Sequence, residues 1–223
     1  MAVVILPEKK LRRLGRHVEH DIRSRAFSVS HIHPLVTTKW ERHCDPFDQG
    51  EVGSCTAESG IGVMMTTPFY NPKRVLLQDE CLALYAEATR LDKIPGHYPP
   101  DDTGSSGLAV AKALHQRGWL RAYHHAFTLS AVLSSLTKGP GMLGIPWYEG
   151  FDSPVGPCAE LIISGSVRGG HEIEVLAVDV DQQLIRGPNS WGLEWGDRGY
   201  YTMSFDTLDR LLHEQGDYTV PQI

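Results

Sequence analysis

Apolar residues recur along this chain with two different spacings. Through the first half they fall three and four residues apart, the period of a helix with one buried face. A helix is predicted to start near Ser54, with Ala57, Ile61, Met64 and Met65 on one side and Asn71-Pro72 as its stop. A second runs from about Leu77 to Arg90 on Cys81, Leu84, Tyr85 and Ala88. After a loop marked by Pro95, Gly96, Pro99, Pro100 and Gly104, a third runs from Ser106 to Arg117, closed by Gly118. A short fourth covers Thr128 to Lys138.

From Gly141 onward the pattern changes to short apolar or alternating runs separated by turn residues. They are Met142–Ile145, Leu161–Ile163, Glu172–Val180, Leu184–Arg186 and Tyr200–Ser204, an antiparallel β signature. Helices followed by strands indicate an α+β protein in two lobes. The expected division gives residues 45–137 to a helical lobe, and residues 1–44 and 138–223 to an N-terminal arm plus a β lobe. The first forty-odd residues are basic and histidine-bearing, with Arg16–Phe27 read as an irregular arm or a short helix. No internal repeat or low-complexity tract interrupts the chain.

Composition narrows the function. Of 223 residues, 41% are hydrophobic and 22% charged, which is ordinary for a globular protein. A net charge of −6 gives no electrostatic reason to expect nucleic acid as partner. The run Ala2–Leu6 precedes its basic residues, so it does not read as a secretory signal, and no apolar run approaches the ~18–20 residues that span a bilayer. Four cysteines without a C-x-x-C pair are too few for a disulfide scaffold. The expectation is a cytoplasmic or otherwise reducing compartment and no membrane partner.

Three segments carry candidate chemistry. Asp48–Ala57 (DQGEVGSCTA) delivers Cys55 to a helix start, where the partial positive charge favours a thiolate and free N–H groups can donate to an oxyanion. Gly169–Val178 (GGHEIEVLAV) opens an apolar strand with His171, and its glycines admit a close neighbour. Pro188–Tyr200 (PNSWGLEWGDRGY) places Asn189, one of two asparagines, beside Trp191; its amide oxygen can orient a histidine ring and the indole can shield that bond. Taken singly, these are also a packed cysteine, a surface histidine and an aromatic turn. Together they supply a nucleophile, a base and a group that orients the base.

In the order Cys, His, Asn, with Gln49 six residues before Cys55 and Asn189-Ser190-Trp191-Gly192 intact, the chain resembles the papain-like cysteine peptidases, in particular their compact microbial or viral branch without a long pro-domain. The resemblance implies a two-lobed fold, with Cys55 on a helical lobe, His171 and Asn189 on an antiparallel β-barrel lobe, and the active site in the cleft between. It implies Cys55 as nucleophile, His171 as its proton partner in a thiolate–imidazolium pair, and Asn189 fixing the ring under Trp191. It implies Gln49 and the Cys55 N–H as oxyanion donors, supported by Gly53, Ser54 and Ser190. Gly104-Ser105 and Gly170 are the candidate contacts for a peptide or protein substrate, with no metal and no cofactor.

The chain departs from the family at four places. Val52 stands where secreted relatives carry a disulfide cysteine, Thr56 replaces an aromatic residue, and Glu172 and Glu174 stand where small apolar residues are usual. A carboxylate there would raise the His171 pKa or point to solvent. Gly139–Gly144 fits G-x-G-x-x-G but follows a helix and enters a strand, so it reads as a turn. The pairs His17/His20, His31/His33 and His124/His125 lack accompanying cysteine pairs and read as solvated or capping histidines rather than zinc ligands. Cys44, Cys81 and Cys158 read as free thiols, mostly packed. Besides a cysteine endopeptidase, two readings stay open: a related thiol acyltransferase, such as a transglutaminase or a cell-wall peptide amidase, and a silent papain-fold module of an assembly such as a virion. The arm itself is placed to enter the cleft as an inhibitory segment.

Overall fold

The computed structural model describes residues 11–20, 22–26 and 34–223. His31, His33 and the Ala2–Leu6 run lie outside them. In chain order the elements are α1 (Ile22–Ala26), β1 (Thr38–Lys39), α2 (Cys55–Met64), α3 (Gln78–Leu91), α4 (Gly107–Gln116), β2 (Ala122–Ala126) and α5 (Leu129–Leu136). After them come β3 (Gly141–Tyr148), β4 (Val167–Val175), β5 (Ala177–Asp179), β6 (Leu184–Pro188), β7 (Tyr200–Ser204), α6 (Phe205–His213) and β8 (Asp217–Gln222). None of the described helices is long and apolar enough to cross a membrane.

The helices form for local reasons that the sequence carries. Ser106 and Thr128 accept hydrogen bonds from the backbone N–H groups of Ala109 and Ala131 and so cap α4 and α5. Gly118, at φ +68°, takes the left-handed turn that ends the α4 region. Every residue of α2 is buried, so this helix runs through the interior rather than over it. It stops at Met64, before the expected Asn71-Pro72. Pro68 disfavours helical geometry in Thr67, and Thr66 turns its hydroxyl back onto the Gly62 carbonyl at 3.0 Å.

The strands form two antiparallel sheets, ordered β1-β5-β6-β7 and β2-β8-β3-β4. Leu161–Ile163 is not a strand: Leu161 reaches Thr202 through one backbone bond beside an isolated bridge. The Met142–Ile145 run is strand as expected, and β3 begins at Gly141, so only Gly139 and Pro140 of the stretch read as a turn lie before it.

Two hydrophobic cores result. One joins α2, α3 and α4 from Phe47 to Leu120, with Met142 added from β3. The other lies between the sheets and α6 and contains Trp147, Trp191, Trp195, Tyr201 and Tyr218. Ala131, Val132, Leu133 and Leu136 of α5 belong to this second core. The apolar face of α5 thus covers the sheets, whereas the residues of the helical core run from Phe47 to Leu120 with Met142. Helix α2 packs along β4, and the N–H of Glu172, the residue after His171, meets the Cys55 sulfur at the start of α2.

Candidate active site

Cys55 is the first residue of α2 and fully buried. The loop before it is tied from two sides. Gln49 N–H donates to the Ser190 carbonyl at 2.9 Å, and Gly192 N–H donates to the Phe47 carbonyl at 2.9 Å, so the loop lies against the 190–192 turn. On the other side the Asp102 carboxylate accepts the Gly53 N–H at 3.0 Å and the Tyr85 hydroxyl at 2.6 Å. Ser54 donates its hydroxyl to Glu58 at 2.9 Å rather than capping the helix. The Cys55 sulfur is met by the backbone N–H groups of Glu172 and Gly15. Burial pushes its thiol up to about 12, and the nearby Glu172 and Glu58 carboxyls add to that rise.

His171 lies in β4 opposite Ile145 and is fully buried. Its Nε2 is 2.7 Å from Asn189 Oδ1, and the same oxygen accepts the Ser190 N–H at 2.7 Å. An amide oxygen that already accepts one N–H can only accept another, so the ring donates Nε2–H and leaves Nδ1 with its lone pair free. Nδ1 has no hydrogen-bond partner among the described residues. Two indoles enclose the ring: Trp147 edge-on at 4.5 Å between centroids and Trp191 tilted at 5.1 Å. Burial lowers the His171 pKa to about 4, against the Asn189 hydrogen bond, which raises it, and with the Arg168 charge, which lowers it.

Gln49 is held by Ser190, whose hydroxyl donates to Gln49 Oε1 at 2.7 Å. That fixes the amide so that Nε2 faces the Val52 carbonyl at 2.7 Å and the Arg13 carbonyl at 3.2 Å. The second of these partners belongs to the N-terminal arm, which runs through the cleft. Arg12 pairs with Asp48 at 2.6 Å and reaches the Trp191 carbonyl. Arg13 pairs with Asp102 at 2.9 Å. Gly15 lies against the Gly53 carbonyl with no room for a side chain. The Arg16 N–H donates to the Gly170 carbonyl at 3.0 Å, while Ser105 N–H donates to Gly15 O at 2.8 Å and His17 N–H to Ser105 O at 2.7 Å. Gly104, Ser105 and Gly170 thus contact a peptide backbone, and that backbone is the chain's own.

Glu172 and Glu174 are both buried, so neither points to solvent. Glu174 pairs with Arg42 and accepts the Thr66 hydroxyl at 2.6 Å. Among the described residues no carboxylate raises the His171 pKa; desolvation dominates instead. In this arm-covered form desolvation opposes charge on both groups, raising the Cys55 thiol and lowering the His171 imidazolium. Thr56 is buried, with its hydroxyl unpartnered among the described residues. The four cysteines are free; Cys81 is buried, Cys44 half-buried and Cys158 exposed.

Sequence reasoning missed Trp147, Asp102, Tyr85 and Asp217. Trp147 is two residues along β3 from Ile145 and therefore on the face that His171 shares, a parity argument that needs the β3–β4 register. The histidines are not all solvated either. His20 and His125 converge with Asp217, one donor atom from each lying within 4.8 Å of the others, the one metal-capable group found among the described residues. Asp217 is already engaged by Arg16 at 2.5 Å.

Comparison with known proteins finds no matching family model and no matching curated protein. Solved structures match throughout. Xylellain, a cysteine protease from Xylella fastidiosa, aligns at TM-score 0.73 and 19% identity over 94% of this chain and 95% of its own. Digestive procathepsin L 3 of Tenebrio molitor larval midgut aligns at 0.61 and 15% over 86% of this chain and 71% of its own. A Carica candamarcensis cysteine protease in complex with E-64 aligns at 0.59 and 14% over 80% of this chain and 92% of its own. The chain has the fold of the papain-like cysteine peptidases.

Proposed function

We propose that this protein is a cysteine peptidase that cleaves peptide bonds through Cys55, His171 and Asn189, and that its arm holds it latent. The observation that carries the reading is the pairing of His171 Nε2 with Asn189 Oδ1 at 2.7 Å, which leaves Nδ1 as the basic atom of a ring whose chain neighbour, Glu172, meets the Cys55 sulfur through its N–H. In the open enzyme Nδ1 takes the Cys55 proton and the thiolate attacks the substrate carbonyl carbon. The oxyanion that forms is met by Gln49 Nε2–H and the Cys55 N–H. The imidazolium returns its proton to the leaving amine as the C–N bond breaks, giving a thioester. Water, giving its proton to Nδ1, then releases the acid and restores the thiol. Trp147 and Trp191 exclude water from the orienting bond.

Latency follows from the same geometry. With the arm in place the Arg13 carbonyl lies on the Gln49 donor and Gly15 lies on the sulfur, at the positions a substrate would use. A thiol near 12 and an imidazole near 4 leave both groups neutral at pH 7, the unreactive protonation state. The blocked cleft also favours a second reading, a silent module in which the arm never leaves. A thiol acyltransferase or amidase would use the same first half-reaction with a different acceptor or substrate. Four unbridged cysteines support a reducing compartment.

Limiting iodoacetamide at neutral pH, followed by mapping of the labelled cysteine, separates these readings when combined with hydrolysis of peptidyl coumarin amides. Selective labelling of Cys55 in an Arg16→Ala full chain, lost with His171→Ala and accompanied by coumarin release, supports the latent peptidase. Labelling of Cys55 no faster than Cys158, without hydrolysis, supports the silent module.

A further inference from the structure

Two strands and the arm bring three metal-ligating side chains together. Pairing of β2 with β8 sets His125 opposite Thr219, so Asp217, two residues back along β8, stands diagonally across on the same face. His20 arrives from the arm. The arm is held there by the backbone bonds of Arg16 and His17 and by Arg25, whose guanidinium lies over the Phe127 ring at 5.2 Å. One donor atom from each of the three residues lies within 4.8 Å of the others. The His20 and Asp217 side chains are 7% and 6% exposed, and His125 is buried.

The Asp217 carboxylate is divided between two partners. Oδ1 accepts from Arg16 at 2.5 Å, whereas Oδ2 is turned to His20 Nε2 at 3.5 Å. Two ligands of a tetrahedral ion with bonds of ~2.0 Å stand about 3.3 Å apart, so that edge already has the spacing of a zinc site. Edge-to-face packing of His20 on His125, at 5.6 Å between ring centroids, accounts for two imidazoles but not for the oxygen turned toward them. Charge points the same way. Glu172 interacts with Asp217 and is buried with neither oxygen hydrogen-bonded among the described residues; Glu19 interacts with His20, and its Oε1 is likewise buried and unpartnered. The arginines that act on these groups are Arg16, committed to Asp217, and Arg25. Three carboxyls against two guanidiniums leave negative charge that a divalent ion offsets.

Two imidazoles and a carboxylate suit Zn²⁺ and its first-row neighbours, whereas Mg²⁺ and Ca²⁺ take oxygen ligands. We propose that His20, His125 and Asp217 bind one divalent transition-metal ion of the zinc class. One ligand belongs to the arm and two to the β2–β8 pair, so the ion fastens the arm over the cleft. Binding of the metal stands by itself; its consequence for activity rests on the latent-peptidase reading.

The full chain is stripped with a chelator and titrated with Zn²⁺, or with Co²⁺ as its spectroscopic substitute. The tightest site should bind at least about tenfold more strongly in the unsubstituted chain than in His20→Gln, since losing even an outer partner of a metal ligand costs that much. The Co²⁺ form should show visible ligand-field bands without thiolate-to-metal charge transfer, which excludes Cys55 as a ligand. Equal affinity in the two chains, or a thiolate band, overturns the proposal. Where His20→Gln by itself frees the arm, seen as fast Cys55 labelling without metal, His125→Gln takes its place, and unchanged affinity there overturns the proposal as well. The lock is read as the iodoacetamide rate of Cys55 relative to Cys158. Free Zn²⁺ at ten times its dissociation constant should lower the open fraction, and so that rate, about tenfold in the unsubstituted chain and not in His20→Gln. Slowing that persists in His20→Gln places zinc on Cys55 itself and overturns the lock. A rate indifferent to zinc, in a chain that binds it, overturns the lock and leaves the site. Hydrolysis of peptidyl coumarin amides by the Arg16→Ala chain is scored separately: its absence removes the peptidase reading and leaves both metal results standing.

Discussion

Removing the Arg16 side chain is expected to expose Cys55, the proposed nucleophile, without unfolding the protein. Arg16 and Asp217 form an ion pair at 2.5 Å with side chains 2% and 6% exposed, and Arg16 also donates to the Gln215 carbonyl. Breaking a buried pair by removing one partner costs about 3–5 kcal/mol, and here the cost falls on the arm-docked state, because in the open state water reaches Asp217. At ~1.4 kcal/mol per factor of ten, even the lower figure raises the open fraction roughly a hundredfold. Iodoacetamide reacts with Cys55 only when the arm is away, so its second-order labelling rate should rise by that factor in Arg16→Ala. Cys158, which is exposed, provides the reference rate, and Cys81, buried in the helical core, reports unfolding. A Cys55 rate within twofold of the unsubstituted chain, in a protein whose Cys81 stays protected, would refute the argument that this ion pair closes the cleft.

Other consequences are checked on the same opened chain. Asn189→Ala removes the oxygen that holds Nε2–H at 2.7 Å; a hydrogen bond to a charged imidazolium is worth about 1.5–3 kcal/mol, so kcat/KM should fall roughly 10- to 100-fold. Gln49→Ala removes the proposed oxyanion donor and should lower kcat by about 10²–10³ with KM little changed; an effect confined to KM would argue against that role. The His171 ring, followed by NMR, should titrate near 4 in the closed chain and move toward its ordinary value of 6.5 once Arg16→Ala admits water. The sign follows from proton binding: the unfolded or open form binds the extra proton between pH 6.5 and 4. Lowering pH through that window therefore costs the closed form stability, about 3 kcal/mol at the low end, whereas above 6.5 this histidine exacts no penalty. Denaturant midpoints that do not fall over that window in the unsubstituted chain, yet fall in His171→Gln, would contradict it.

What the chain determines by itself is local. The apolar spacing that builds α2, α3 and α4, the hydroxyls of Ser106 and Thr128 that cap their helices, and the left-handed Gly118 are set by neighbours a few residues away. So is the order of Cys55, His171 and Asn189, each marked by glycine, tryptophan or a helix start in its own segment. Where local signals were weak or contrary, the elements went unread. Strand β2 is Ala-Tyr-His-His-Ala, with no clean alternation, and β8 carries Pro221 in the middle of a sheet, normally a mark against a strand. Helix α6 had its Leu208, Leu211 and Leu212 spacing and a Ser204 cap, but it is short and follows directly on β7.

Tertiary structure decided the rest. Which core α5 joins depends on the apolar surface that the sheets leave uncovered. Trp147 reaches His171 only through the β3–β4 register, and Asp217 meets Arg16 across 201 residues of chain. The protonation of the site is decided there as well. A helix start favours a thiolate, but a chain segment laid over Cys55 and two indoles around His171 remove the water that would stabilise either charge. Desolvation belongs to the closed molecule rather than to any segment of it. The sequence therefore marked the candidate groups, and the packing of the arm decides how far they are removed from water.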